Sequence, residues 1–179
     1  MDGGSDLDIE DLYQQHRVRI FRSIAGVVLD TDAAEDLTQE TFEHAWRARD
    51  SYRGAPDAVG AWLYRIAMNR AISWLRRQRL ARLLPALLSS REEGGMEGFE
   101  GVENRQLTGI ALAALNPRQR VVVVLTYYSG LTRREVAAAL GIPPGTVASR
   151  LDAAQRLMRT ALLQRAARPG SRAQGSVRA

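Results

Sequence analysis

Few residues of this 179-residue chain have the type and spacing that covalent chemistry needs. Cysteine is absent, which excludes disulfides, thiolate metal sites and cysteine nucleophiles together. His16 and His44 are the only imidazoles, and they lie far apart with no metal-ligand spacing. There is no glycine-rich phosphate loop, no nucleophile paired with a histidine, and no carboxylate pair in an evident pocket. The sequence therefore predicts a protein that is not an enzyme and that carries neither metal nor cofactor. What it offers instead is charge, which binds polyanions and protein surfaces.

The net charge of +5 conceals a strong segregation. Residues 1–43 carry a net −8 and residues 44–82 a net +7. Residues 83–116 return to −3, and residues 117–179 reach +9. Two basic segments separated by an acidic one predict two surfaces for nucleic acid and a third surface for a different partner.

Such surfaces need elements to position them. With 45% hydrophobic residues the chain can bury a core. Leu12, Ile20, Ile24, Val27 and Val28 recur at helical spacing, Asp32–Trp46 forms a second helix and Gly60–Arg79 a third. Glycine and proline in SYRGAPDAVG mark a loop between the second and third. Ser89–Gly101 is rich in glycine and acid without apolar periodicity and reads as a flexible linker. Beyond it, Arg105–Leu115, Pro117–Ser129, Thr132–Leu140 and Pro144–Gln164 read as helices. Val121–Leu125 has strand propensity, but a cap at Asn116, Pro117 at the first helical position and a stop at Gly130 favour helix.

The expected fold is all-α. Two small helical domains, residues 1–82 and 105–166, are joined by an acidic flexible linker at 83–104 and followed by a disordered tail at 167–179. Met1–Asp11 is acidic and lacks the features of a signal peptide. No apolar run approaches the roughly 20 residues of a membrane helix, so a soluble cytoplasmic protein without membrane insertion is expected.

The most readable motif is C-terminal. Thr132-Arg133-Arg134-Glu135 fits a capping box at a helix start, and Gly141 suits the left-handed geometry of a helix end. Pro143-Pro144 then open a second helix. A short helix, a tight glycine-containing turn and a second helix form a helix-turn-helix, whose second helix enters the major groove. Val136, Leu140, Ile142, Val147 and Leu151 supply its core, and Thr146, Ala148, Ser149 and Arg150 are exposed candidates for base contact. A helical hairpin that binds protein is the alternative for this segment alone.

Taken in order, the motifs resemble the extracytoplasmic-function sigma factors, the smallest type in the sigma-70 family. AAEDLTQETFEHAW (Ala33–Trp46), SYRG (Ser51–Gly54) and AWLYRIAMNRAISWLRRQR (Ala61–Arg79) are similar to sigma region 2. LNPRQRVVVVLTYYSGLTRREVAAALGIPPGTVASRL (Leu115–Leu151) is similar to region 4. The resemblance implies an alternative sigma factor that binds core RNA polymerase and directs it to promoters. Asp36, Gln39, Glu40 and Phe42 would dock on the clamp helices of the largest polymerase subunit, and region 4 on the flap. Without the resemblance, that acidic run reads as an ordinary solvated face.

For the −10 element, the resemblance assigns Tyr52, Arg53 and Gly54 to a pocket for a flipped base. Asn69, Arg70, Ser73, Trp74, Arg76 and Arg77 would contact the unpaired strand, with Arg79 and Arg82 adding to phosphate neutralisation. Trp62 and Ile66 read as core, whereas Trp74 fits core and interface equally. For the −35 element, Arg133, Arg134, Thr146, Ser149, Arg150 and Arg156 are the candidates. Ala148 stands where the family commonly carries a basic residue, which implies weak or unusual −35 readout. The acidic linker would occupy a nucleic-acid channel or serve as a spacer, and an anti-sigma protein is an expected partner. The competing expectation is a stand-alone helix-turn-helix regulator that binds duplex DNA without polymerase.

Overall fold

The computed structural model describes residues 7–55, 58–83 and 102–167. The expected linker at Ser89–Gly101 and tail from Arg168 lie outside the described residues, which contain helices and no strand. Three helices form the first unit: α1 (Ile9–Val28), α2 (Thr31–Ala48) and α3 (Val59–Leu83). A 3-10 turn, Arg49–Ser51, leads from α2 into the loop before α3.

The second unit holds α4 (Val102–Ala113), α5 (Pro117–Val123), α6 (Arg133–Leu140) and α7 (Pro144–Ala167). α4 starts three residues before the expected Arg105, inside the segment read as linker. α5 runs on as a π turn, Val124–Tyr128. The sequence predicts uniform helix over Pro117–Ser129, because nothing in the β-branched run Val121–Val124 distinguishes the two windings.

Local chemistry accounts for the boundaries. Asp8 starts α1 by accepting from the Glu10 and Asp11 amides, and Asp30 starts α2 by accepting from Ala33. Asn116 and Gln119 form a reciprocal capping box with Pro117 at the first position of α5. Thr132 and Glu135 form a second one at α6, which Gly141 ends with φ +63°. Both capping sites are those read from sequence.

One continuous apolar core runs through both units. Ile20, Ile24, Leu37, Leu63 and Met68 fill the first, and Val121, Val122, Leu125, Val136 and Val147 the second, all but excluded from solvent. The units also touch directly: α1 packs on α5 and the π turn, and α6 packs on α3.

Candidate nucleic-acid interface

Three surfaces carry the residues singled out from sequence. The first is a groove between α1 and α2, lined by Tyr13, Arg17, Val18, Phe21, Gln39 and Phe42 among others. Phe42 is buried and meets the Tyr13 ring edge-on at 4.9 Å, so it forms the groove floor and not a free contact. Val18 is half exposed on the rim. Asp36 and Gln39 face solvent from α2, where Gln39 donates to Glu43 at 3.0 Å. Arg47 bridges to the same Glu43 carboxylate at 3.4 Å. The groove thus joins an apolar floor to a charged rim, with Glu35 and Glu43 on the α2 side and Arg17 and Arg22 on the α1 side, the chemistry of a protein-docking surface.

The second is an open cleft of about 420 Å³ between α2 and α3. Arg65, Asn69, Ser73 and Arg77 recur every fourth residue, so α3 presents them as one stripe. From the α2 side come His44 and Glu40. Arg70 donates from Nη1 to Glu40 Oε2 at 2.7 Å, while its buried Nε has no hydrogen-bond partner among the described residues. Burial first, then the charges of Arg70 and Arg47, lowers the His44 pKa below 6.5 and keeps the imidazole neutral near pH 7. Glu40, grouped on sequence grounds with the docking residues, therefore lies beside Arg70, grouped with the DNA-binding residues.

At the head of α3, the Tyr52 hydroxyl donates to the Ala55 carbonyl at 2.7 Å, and its ring lies 5.0 Å from that of Trp62. Tyr52 folds over Gly54 so closely that a Cβ there would overlap the end of the tyrosine ring and its hydroxyl. Any larger residue at position 54 would have to displace the Tyr52 ring from this position. Arg53 donates to the Asp50 and Tyr52 carbonyls, which fixes its stem within the loop. Arg76 and Arg77 are exposed along α3, whereas Trp74 is half-buried against the core. Ile66 is buried, and Trp62 is partly buried against the same core.

The third surface is the helix-turn-helix. Arg133 and Arg134 are exposed at the start of α6, and Ser149 and Arg156 on α7. Thr146 and Arg150 are partly exposed on the first two turns of α7, and Ser149 Oγ donates to the Thr146 carbonyl at 3.1 Å. Val136, Val147 and Leu151 are buried between the two helices, with Leu140 and Ile142 packed beside them.

Residues 12–81 match sigma-70 region 2, and residues 111–157 match sigma-70 region 4. The ECF RNA polymerase sigma factor SigL of Mycobacterium tuberculosis is 31% identical over 153 residues, 84% of this chain and 86% of its own. The chain belongs to the ECF sigma factors of the sigma-70 family. SigK of Mycobacterium bovis is 30% identical over 158 residues, covering 85% of this chain and 84% of its own. Among solved structures, the sigma factor RpoE in complex with the anti-sigma factor NepR, from Bartonella quintana, aligns with a TM-score of 0.70 at 25% identity. That match covers 86% of this chain and 98% of the other. CnrH in complex with the cytosolic domain of CnrY aligns at 0.64 with 26% identity, covering 89% and 88%.

As an ECF sigma factor the protein is an alternative sigma factor that directs transcription initiation, a regulatory task that calls for binding and not for bond chemistry. Among the described residues, no group of histidines and carboxylates could hold a metal ion, and no helix is long and apolar enough to cross a membrane.

Two features of this sigma factor escaped the sequence reading. His44 and Arg65 line the cleft, and the four-residue spacing of Arg65 from Asn69 is a signal that could have placed Arg65 there. The other is the joint between regions 2 and 4. Arg120 is buried and donates to three carbonyls: Leu112 at 3.0 Å, Leu115 at 2.9 Å and, across the joint on α1, Val27 at 2.7 Å. Ser23 of α1 and Ser129 share a hydrogen bond of 2.9 Å, and Arg22 reaches the Tyr128 hydroxyl at 3.4 Å. Gly26 admits Val124 so closely that a Cβ would lie 3.2 Å from its methyl carbon.

Proposed function

We propose a division of labour among the three surfaces of this sigma factor. The α1–α2 groove docks on the clamp helices of core RNA polymerase, with Asp36 and Gln39 as polar contacts and Phe42 as the supporting floor. The α2–α3 cleft and the loop at Tyr52–Gly54 receive the unpaired −10 strand. Asn69, Ser73, Arg76 and Arg77 track the backbone, and Trp74 borders the bases. The helix-turn-helix reads the −35 duplex through Thr146, Ser149 and Arg150, with Arg133, Arg134 and Arg156 on phosphates, and region 4 also meets the polymerase flap. The protein works in the cytoplasm and catalyses no reaction of its own.

The observation that carries this reading is the placement of a cationic stripe on α3 and a capped helix-turn-helix in one chain, with an apolar groove rimmed by charges of both signs on the opposite flank of α2. Single-strand binding calls for a cationic track beside aromatic side chains, and duplex reading calls for the N-terminal turns of a helix held clear of the core.

The closed joint sets a condition on this function. Helix α6 lies against α3, so the −10 and −35 surfaces are neighbours here. Their targets on DNA lie more than two helical turns apart, roughly 70 Å at 34–36 Å per turn. The 18 residues from 84 to 101 have a maximum reach of about 60 Å, enough with the length of the helices to let the regions separate. The closed arrangement is therefore a state in which promoter binding is blocked. Of the solved relatives that align with this chain over most of their length, RpoE is in complex with the anti-sigma factor NepR and CnrH with the cytosolic domain of CnrY. An anti-sigma partner that holds the two regions together follows as the regulator of this chain.

Run-off transcription with purified core polymerase on fragmented genomic DNA tests the whole reading. Discrete start sites that depend on the added protein support it. Specific duplex binding without any association with core would instead establish a stand-alone regulator.

A further inference from the structure

The cleft between α2 and α3 holds three arginines, Arg65, Arg70 and Arg77, and a single carboxylate, that of Glu40. Glu40 is not spent on capping a helix or on a neighbour within α2. Its carboxylate crosses to α3 and takes Nη1 of Arg70 at 2.7 Å. Both side chains are partly open to solvent, 31% for Arg70 and 46% for Glu40, so the pair can separate without exposing a buried ion. A pair this accessible contributes little to stability. Its geometry is also incomplete: one nitrogen meets one oxygen, where a guanidinium can present two parallel donors to a carboxylate or phosphate.

We propose that Glu40 is a positioning residue for Arg70: a built-in counter-ion that holds the guanidinium in the cleft and occupies, in the free chain, the place of a nucleic-acid phosphate. Two consequences follow. Arg70 is kept extended toward the cleft and not spread into solvent, which lowers the ordering cost when a strand arrives. The same carboxylate competes with the phosphate, so single-stranded DNA binds weakly until Glu40 is drawn away. This inference rests on the proposal that the cleft is the surface for the unpaired strand.

The test uses the full chain and a fluorescein-labelled twelve-residue oligothymidine, followed by anisotropy across a salt series. Glu40→Gln, which keeps the shape and removes the charge, is expected to tighten binding by up to about fivefold, the range of one partly exposed ion pair. Its salt slope should steepen by about 0.7, the signature of one more phosphate neutralised on a single strand. Glu40→Asp, which retains the charge on a shorter stem, is expected to fall between the parent and Glu40→Gln. In an Arg70→Gln background the effect of Glu40→Gln should vanish, because the carboxylate acts through that guanidinium. A gain of the same size in that background means a general charge effect and overturns the proposal. So does an unchanged or weakened affinity for Glu40→Gln, since the competition is expected to outweigh the ordering of Arg70. Arg77→Gln separates this failure from that of the underlying reading. If Arg77→Gln weakens oligothymidine binding while Glu40→Gln does nothing, the cleft still binds the strand and only the role of Glu40 falls. If Arg77→Gln binds as tightly as the parent, the assignment of the cleft falls and takes the role of Glu40 with it.

Discussion

Replacing Arg120 by alanine removes one buried cation and the hydrogen bonds it donates to three carbonyl oxygens, of which the Leu112 oxygen keeps the Leu115 amide as a partner. Two of these, on Leu112 and Leu115, lie within region 4, and the third, on Val27, belongs to region 2. Hydrogen bonds to charged groups contribute roughly 1.5–3 kcal/mol each, so the gross loss is about 4.5–9 kcal/mol. Against it stands the desolvation of the guanidinium, which burial alone pulls below the usual arginine pKa. Leaving a buried acceptor unsatisfied costs about 1–3 kcal/mol, so the two stranded carbonyls together with the lost Leu112 contact set the expected net cost at about 3–5 kcal/mol. At about 2–4 °C per kcal/mol for a chain of this size, the melting temperature should fall by roughly 6–20 °C. Arg120→Lys keeps the charge but not the planar fork, reaches fewer of the carbonyls, and should fall between the two. Thermal unfolding followed by circular dichroism measures all three proteins. A melting temperature for Arg120→Ala within about 2 °C of the parent, less than 1 kcal/mol, would refute the ledger and the idea that this side chain ties the joint together.

Gly26→Leu wedges α1 away from Val124 and should open the joint. A compact chain of 179 residues has a radius of gyration of about 16 Å, and small-angle scattering should show a clear rise above the parent, whereas an identical value contradicts the closed joint. Thr132→Ala deletes the cap of α6 and should cost about 1 kcal/mol, read as faster amide exchange in the first turn of that helix; unchanged protection there argues against the cap. His16 is held below its ordinary pKa of 6.5 by burial and then by Arg19, and His44 by burial and then by Arg70 and Arg47. The unfolded chain therefore takes up protons first, so this stability is fully present above pH 6.5 and declines as the pH falls from there toward the lowered folded values. Substituting both histidines by glutamine should flatten that part of the stability–pH curve. Ala148→Arg should strengthen binding to −35 duplex and steepen its salt slope by about 0.9, and no gain in a salt titration contradicts the assignment of that face.

Helix ends were the most legible part of the fold, because each is written in two or three adjacent residues. Asn116-Pro117 and Thr132 with Glu135 carry their capping chemistry in the chain itself. The arginines of α3 were legible as charge, and their alignment as a stripe follows from spacing alone. What the sequence hid depends on neighbours distant along the chain. Arg120 borders an apolar run, and no local pattern tells that its partner is a carbonyl 93 residues earlier. Glu40 reads as one more acid on an acidic helix until α3 brings Arg70 across from 30 residues away. Phe42 reads as a contact residue until Tyr13 covers one side of it.

The π turn fixes something that composition does not. In it the Ser129 amide bonds to the Val124 carbonyl, and the Leu131 amide to the Leu125 carbonyl, each ring one residue or more wider than in an α-helix. An extra residue in an ordinary helix would turn everything after it by about 100°, and the wider ring takes up that residue without the rotation. Tyr127, which receives the Gln155 amide at 2.6 Å on the α7 side, and Tyr128, which meets Arg22 on the α1 side, thereby each reach their own neighbour. This short stretch acts as a slack link between the joint and the reading head, one that absorbs a residue while the helices on either side keep their phase.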